Sequence, residues 1–199
     1  MLRTLFASLI LMLTPMMALA AVEIGKPAPA FSAKDIAGKE QSIAAHKGKI
    51  IVLEWHNPGC PFVVKHYDSK NMQALQADAA KKGVVWLSVN SGAAGRQGHM
   101  SADEASAYLQ AKDASPAAYI IDAEGTIGRA YGASTTPHMF VIDAKGNVAY
   151  AGAIDDNNSA NPKDALTARN YVSAAIDALL AGKSPEVSAT QPYGCGVKY

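Results

Sequence analysis

The sequence is poor in cysteine, with two in 199 residues, so no disulfide framework can be what holds it folded. It also lacks an excess of either charge: 18 lysines and arginines stand against 17 aspartates and glutamates, a net charge of +1. That balance leaves no electrostatic footprint for nucleic acid or an anionic membrane surface. No internal repeat or low-complexity segment stands out. A long apolar run is missing too. Leu5 to Leu13 is apolar but too short to cross a bilayer comfortably as a permanent helix. With Arg3 before it, Pro15 breaking it and Ala18-Leu19-Ala20 after it, the stretch reads as a signal peptide over residues 1–20, cleaved near Ala20. No cysteine follows that site, so no lipid anchor is expected. The exported chain would keep 179 residues, enough for one domain with a core of its own. Export, read here as delivery to the periplasm, also places Cys60 and Cys195 where disulfides can form.

What the sequence does have is concentrated at Glu54-Trp55-His56-Asn57-Pro58-Gly59-Cys60-Pro61-Phe62-Val63. Ile50 to Leu53 is a β-branched apolar run suited to a strand covered on both faces. Pro58 cannot donate to a sheet ladder and Gly59 permits a sharp turn, so the strand ends before them. Pro61 suits the first position of a helix, which places Cys60 at or beside its N-cap. There the unpaired N–H groups and the positive end of the helix dipole favour a thiolate, the usual origin of a nucleophilic cysteine. The competing account makes Cys60 a small buried hydrophobe.

Along the rest of the chain, Gly25 to Phe31 reads as an extended edge segment, Gly38 as the turn of a hairpin, and His46 as a surface residue. A helical stretch runs from Cys60 to about Lys82, interrupted near Asp68 to Asn71 and closed by Gly83. Val84 to Val89 is a second buried strand, which makes a βαβ unit with parallel strands. The glycines between Ser91 and Met100 do not make a phosphate loop, since no helix opening with Lys and Ser or Thr follows. Ser101 and Glu104 form a capping box for a helix to about Lys112. Tyr119 to Ile121 is a short strand, and Thr126 to Tyr131 a turn or two of helix. Pro137, just before the apolar run Phe140 to Ile142, is either a strand-edge proline or a cis proline in a tight turn. A hairpin through Gly146 leads to Val148–Gly152, and an amphipathic helix is expected from about Ala165 to Ala181.

Taken together, Gly25-x-x-Ala28-Pro29-x-Phe31, Cys60 after the first central strand, Thr136-Pro137 before Phe140-Val141-Ile142-Asp143, and Tyr193-Gly194-Cys195 near the end resemble the thioredoxin-fold redoxins. The likeness is to the alkyl hydroperoxide reductase/thiol-specific antioxidant and periplasmic thiol-disulfide oxidoreductase group, and within it to peroxiredoxin-like exported proteins. The resemblance implies an α/β thioredoxin-like fold with a central mixed β-sheet flanked by helices on both faces. That domain would span residues 21–182, followed by a tail over residues 183–199 that carries Cys195. It implies a thiol-dependent oxidoreductase acting on protein disulfides or peroxides, recharged by an electron-donating thiol protein and needing no cofactor. Two departures narrow it. Val63 stands where a dithiol centre has its second cysteine, and Leu53 and Asn57 stand where a peroxide-reducing centre has proline and threonine or serine. Cations for peroxide oxygens could come only from Arg96, Arg129 or Arg169.

Other residues carry candidate roles beside this resemblance. Cys195 is the candidate resolving thiol on a mobile tail. A permanent disulfide pinning that tail, or a thiol that pairs with another chain, are the other two readings. Thr136 and Pro137 would position the incoming chain. Glu54 is either a buried proton acceptor or a strand-end residue that has reached solvent. Trp55 and Phe62 are either apolar walls of the site or core packing. A second function class is a non-enzymatic binding module for copper or a partner protein. His56, Cys60, His66, His138 and Met139 are of the right ligand types, although the close cysteine pair of thioredoxin-fold copper carriers is missing.

Overall fold

The computed structural model describes residues 22–199; the expected signal peptide lies outside the described residues. In chain order the elements are β1 (Ser32–Lys34), β2 (Glu40–Ser42), β3 (Ile51–Trp55), α1 (Pro61–Asp68), α2 (Asn71–Lys81), β4 (Val85–Asn90), α3 (Ala102–Lys112) and β5 (Ala118–Ile121). There follow α4 (Thr126–Tyr131), β6 (Thr135–Thr136), β7 (His138–Ile142), β8 (Val148–Gly152), α5 (Tyr171–Leu180) and β9 (Cys195–Gly196). Five strands form the central sheet in the order β5-β4-β3-β7-β8. β3 pairs parallel with β4, β4 parallel with β5, and β7 runs antiparallel to both β3 and β8. This is the mixed sheet expected of a thioredoxin-like fold.

Side-chain alternation along β3 sorts the core into two layers. Ile50 and Val52 face Val63 and Tyr67 of α1, Met72 and Ala79 of α2, and Val172, Ala175 and Ile176 of α5. Ile51, Leu53 and Trp55 face the other way, toward Ile127 and Tyr131 of α4 and the underside of the β1–β2 hairpin. Every residue of β3 is buried, because it is central and covered on both sides. Each large apolar side chain removed from water in this way stabilises the fold by roughly 1.5–3 kcal/mol.

The helices start where their caps put them. Ser101 and Glu104 make the reciprocal capping box of α3. Lys70, at φ 61°, interrupts the helical stretch between α1 and α2. The C-terminal helix is shorter than its apolar pattern suggests. Residues Pro162–Leu166 form a 3-10 turn, and α5 begins only at Tyr171, because the Asn170 side chain accepts the Ser173 N–H at 2.8 Å and ends the preceding loop there. Leu166, counted on the helix face from its spacing, is 66% exposed. His46 is not a free surface residue either: it is half-buried and bonded to Gln41.

The C-terminal segment does not hang free. Thr190 N–H bonds to the Ala151 carbonyl at the edge of β8, β9 pairs with β6, and Val197 N–H bonds to the Ser134 carbonyl at 3.0 Å. Tyr199, the last residue, donates its hydroxyl to the Ala133 carbonyl at 2.7 Å. No helix among the described residues is long and apolar enough to cross a membrane.

Candidate active site

Cys60 is the N-cap of α1, in extended backbone with Pro61 as the first helical residue. Across from it the Thr136–Pro137 peptide bond is cis, and the Cys60 thiol donates to the Thr136 carbonyl at 3.0 Å. β9 supplies the third side. Thr136 pairs with Cys195 in an antiparallel register, which brings the Cys195 sulfur to 2.7 Å from that of Cys60. Both thiols are free. Cys60 has no solvent-exposed surface, and Cys195 is partly exposed.

The two sulfurs differ in acidity. Burial pushes the Cys60 thiol up, but hydrogen bonding from Cys195 and Thr136 and the Val63 amide in the first helical turn outweigh it, so its pKa falls below the ordinary thiol value. Burial and the neighbouring Cys60 sulfur push Cys195 up to about 11. Cys60 is therefore the more acidic sulfur of the pair and the first to ionise as pH rises.

The tail needs its own small residue to reach this register. Gly194 has φ +118°, and a Cβ there would overlap the Thr136 carbonyl oxygen. Tyr193, one residue earlier, packs its ring on Phe62 at 5.8 Å between centroids. Phe62 thus lies under the tail, beside the cysteine pair.

Glu54 is fully buried on the Cys60 side of the sheet, not at a wet rim. Tyr67 Oη, Trp86 Nε1 and Ser88 Oγ donate to its carboxylate at 2.8, 2.8 and 2.9 Å. Burial raises its pKa, and those donors only partly offset the rise. Trp55 requires a correction as a wall of the site. It points to the opposite face, packed on Tyr131 and Phe140 with its Nε1 donating to Ser91 Oγ at 3.0 Å. A strand residue next to Glu54 must face away from it, so Trp55 is core packing.

The proposed copper ligands are dispersed. His56 is enclosed by Tyr67, Tyr108 and Tyr119, bonds Tyr119 Oη through Nδ1 at 2.7 Å, and is held neutral by burial with a pKa of about 3. His66 meets Asn71 and Tyr193, and His138 stacks on Phe140 at 4.5 Å. Among the described residues no three histidine, cysteine or carboxylate side chains converge on a metal position. Arg96 is exposed, Arg129 lies over the Tyr199 ring at 4.6 Å, and Arg169 bonds Glu186 at 3.2 Å. A cavity of 540 Å³ between Lys49, Lys82, Lys145 and Lys183 contains none of the residues of the cysteine site.

Sequence reasoning missed Lys65, Asp155 and Gly194. Lys65 and Asp155 are ionisable residues with buried side chains, and periodicity marks only apolar positions as buried.

A helix-capping cysteine facing a cis proline across the end of a mixed sheet places the protein in the class of thioredoxin-fold redoxins. Within that class, residues 24–151 match the model of the AhpC/TSA family, and the chain belongs to that family. No curated protein matches the sequence. Among solved structures it is similar to an uncharacterised conserved protein of Geobacillus kaustophilus, with 26% identity, 89% of this chain and 92% of that one covered, and a TM-score of 0.76. A hypothetical protein of Sinorhizobium meliloti aligns at 24% identity over 90% of this chain and 96% of that one, with a TM-score of 0.75. A putative thiol:disulfide interchange protein DsbE of Chlorobium tepidum shares the fold at 23% identity, covering 64% of this chain and 83% of that one with a TM-score of 0.52.

Proposed function

We propose that this protein is an exported, periplasmic thiol–disulfide oxidoreductase in which Cys60 is the nucleophile and Cys195 the resolving cysteine. The observation that carries the reading is the 2.7 Å approach of the two sulfurs beside Thr136-Pro137. The Cys60 thiolate attacks one sulfur of a partner disulfide, forming a mixed disulfide and releasing the other partner sulfur as a thiolate. Cys195 then gives up its proton and attacks the Cys60 sulfur. The second partner thiolate leaves and a Cys60–Cys195 disulfide remains. Two electrons have moved from the protein dithiol to the partner, and an electron-donating thiol protein returns them.

Thr136 and Pro137 receive the incoming chain through the main-chain edge that β9 now occupies, and Phe62 forms the apolar floor. Glu54, a buried carboxylate with a raised affinity for protons, is the acceptor for the proton that Cys195 releases. A protein disulfide is favoured over a peroxide as substrate. The arginines that could hold peroxide oxygens are placed elsewhere, whereas a strand edge beside the thiol suits a polypeptide.

Reduced protein is to be mixed with a protein disulfide or with one equivalent of hydrogen peroxide, followed by thiol alkylation and mass mapping. A Cys60–Cys195 disulfide formed at the expense of the protein disulfide is the expected result. Formation with peroxide alone would move the substrate to peroxides, and unchanged turnover in Cys60→Ser would remove the reading altogether.

A further inference from the structure

A cluster of buried charge that the exchange chemistry does not use lies along α1. Lys65 and His66 have no exposed side-chain surface, and both approach Asp155 Oδ2 at 3.7 Å from the loop after β8. Lys65 Nζ also donates to the Asn157 carbonyl. Burying a lysine and a carboxylate is costly unless each finds good partners, and here the partners are incomplete: Asp155 Oδ2 has no hydrogen bond. A further partner for the cluster, on the other carboxylate oxygen, comes from the tail. Tyr193 donates its hydroxyl to Asp155 Oδ1, lies 3.3 Å from His66 Nε2, and places its ring 4.9 Å from Lys65 Nζ and 5.8 Å from the Phe62 centroid. Two residues later the same segment presents Cys195 to Cys60 and seals it from solvent.

We propose that Tyr193 is the latch of the C-terminal segment: seated among Phe62, Lys65, His66 and Asp155, it holds Cys195 in register on Cys60 and must leave before an outside polypeptide reaches the thiol. It is a positioning residue, acting on the cysteine pair without touching the reacting sulfurs. The proposal rests on the reading of Cys195 as the resolving thiol. It adds that the edge of β6 is occupied at rest by the protein's own strand, so a substrate chain competes with β9 for the same main-chain groups. A buried charged seat suits a latch because the hydroxyl and the ring of Tyr193 each meet a different part of it, so the segment docks in one register and not in a slipped one.

The test uses the full reduced protein and the variants Tyr193→Ala, Tyr193→Phe and Asp155→Asn. The first readout is the rate at which N-ethylmaleimide modifies Cys60, which needs no turnover. The second is the effective concentration of the dithiol against glutathione, from the equilibrium in which the Cys60–Cys195 disulfide and two glutathione molecules give the dithiol and glutathione disulfide. Tyr193→Ala is expected to raise the modification rate about tenfold and to lower the effective concentration about tenfold. Tyr193→Phe, which keeps the ring, should fall between it and the wild type. Combining Tyr193→Phe with Asp155→Asn should add less than the two separate effects, because the first removes the hydrogen bond that the second weakens by taking the charge from its acceptor. Circular dichroism spectra that match the wild type would show that the central five-stranded sheet, of which β9 is not a member, is intact. Either readout within twofold of the wild type in Tyr193→Ala overturns the latch. If that happens in a protein that still turns over through Cys60, the exchange reading survives alone. If Cys60 opens in the variants while turnover never depended on it, the latch stands and the exchange reading falls.

Discussion

At the scale of single residues, the chemistry is set by the unequal surroundings of two identical side chains. Cys60 has a helix N-terminus and hydrogen-bonding neighbours, whereas Cys195 has burial and an adjacent sulfur that ionises first. Ultraviolet absorbance of the thiolate during a pH titration should show a first step below the ordinary thiol value and a second near 11. In Cys195→Ala the second step vanishes and the first moves up, because the Cys195 hydrogen bond is gone. The signs for stability follow. Cys60, lowered on folding, contributes stability that is fully present above the unfolded thiol value and lost as pH falls through its folded one. Cys195, raised, contributes stability present below the unfolded value and lost as pH rises through about 11.

Glu54 belongs to the same scale. Its raised pKa means that its contribution is present below the unfolded carboxyl value and lost as pH rises through the folded one, so the ionised form weighs on the fold once pH passes that folded value. Glu54→Gln should abolish that part of the pH dependence, seen by urea denaturation at a series of pH values, and slow disulfide exchange about 10- to 100-fold at neutral pH. Exchange at the wild-type rate would remove Glu54 from the proton pathway.

Among the elements, the pairing of β6 with β9 decides who meets Cys60. It is only two residues long on each strand and is made at the tip of a tail, so it belongs to the weak end of the molecule's cooperative units. Gly194→Ala puts a methyl group on the Thr136 carbonyl and asks alanine to hold φ near +118°, so β9 should undock while the five-stranded sheet stays folded. Amide hydrogen exchange would then show protection lost at Val197 and kept along β3 and β4. Protection kept at Val197 would mean that the register tolerates a side chain and that the glycine has another cause.

For the molecule as a whole, the two faces of the sheet divide labour. The α1, α2 and α5 side carries Cys60 and Glu54, while the α4 side is an apolar layer with Trp55 between Tyr131 and Phe140. Trp55→Ala should cost about 3–5 kcal/mol in chemical denaturation through the cavity it leaves. In the folded state it should leave the Cys60 titration where it was. A shifted thiolate step would return Trp55 to the site.

Much of this was legible in residue order alone. The strand that ends at Asn57-Pro58-Gly59, the helix that begins at Pro61, the break before Asn71 and the capping box at Ser101 all rest on local backbone chemistry, which acts within a few residues and is written in consecutive letters. Two alternatives that local chemistry leaves equal were settled by long-range packing. Pro137 is cis, and Glu54 is buried among Tyr67, Trp86 and Ser88, which come from α1 and from the neighbouring strand. α5 starts later than its apolar period, which continues through Leu166, because the Asn170 cap wins locally. The approach of Cys195 to Cys60 spans 135 positions of sequence, and the seat of Tyr193 joins α1, the loop after β8 and the tail. Distances of that kind exist only once the sheet has brought its ends together. Sequence therefore determined which sulfur caps a helix, because capping is local, and tertiary structure decided which partner that sulfur meets, because the meeting is not.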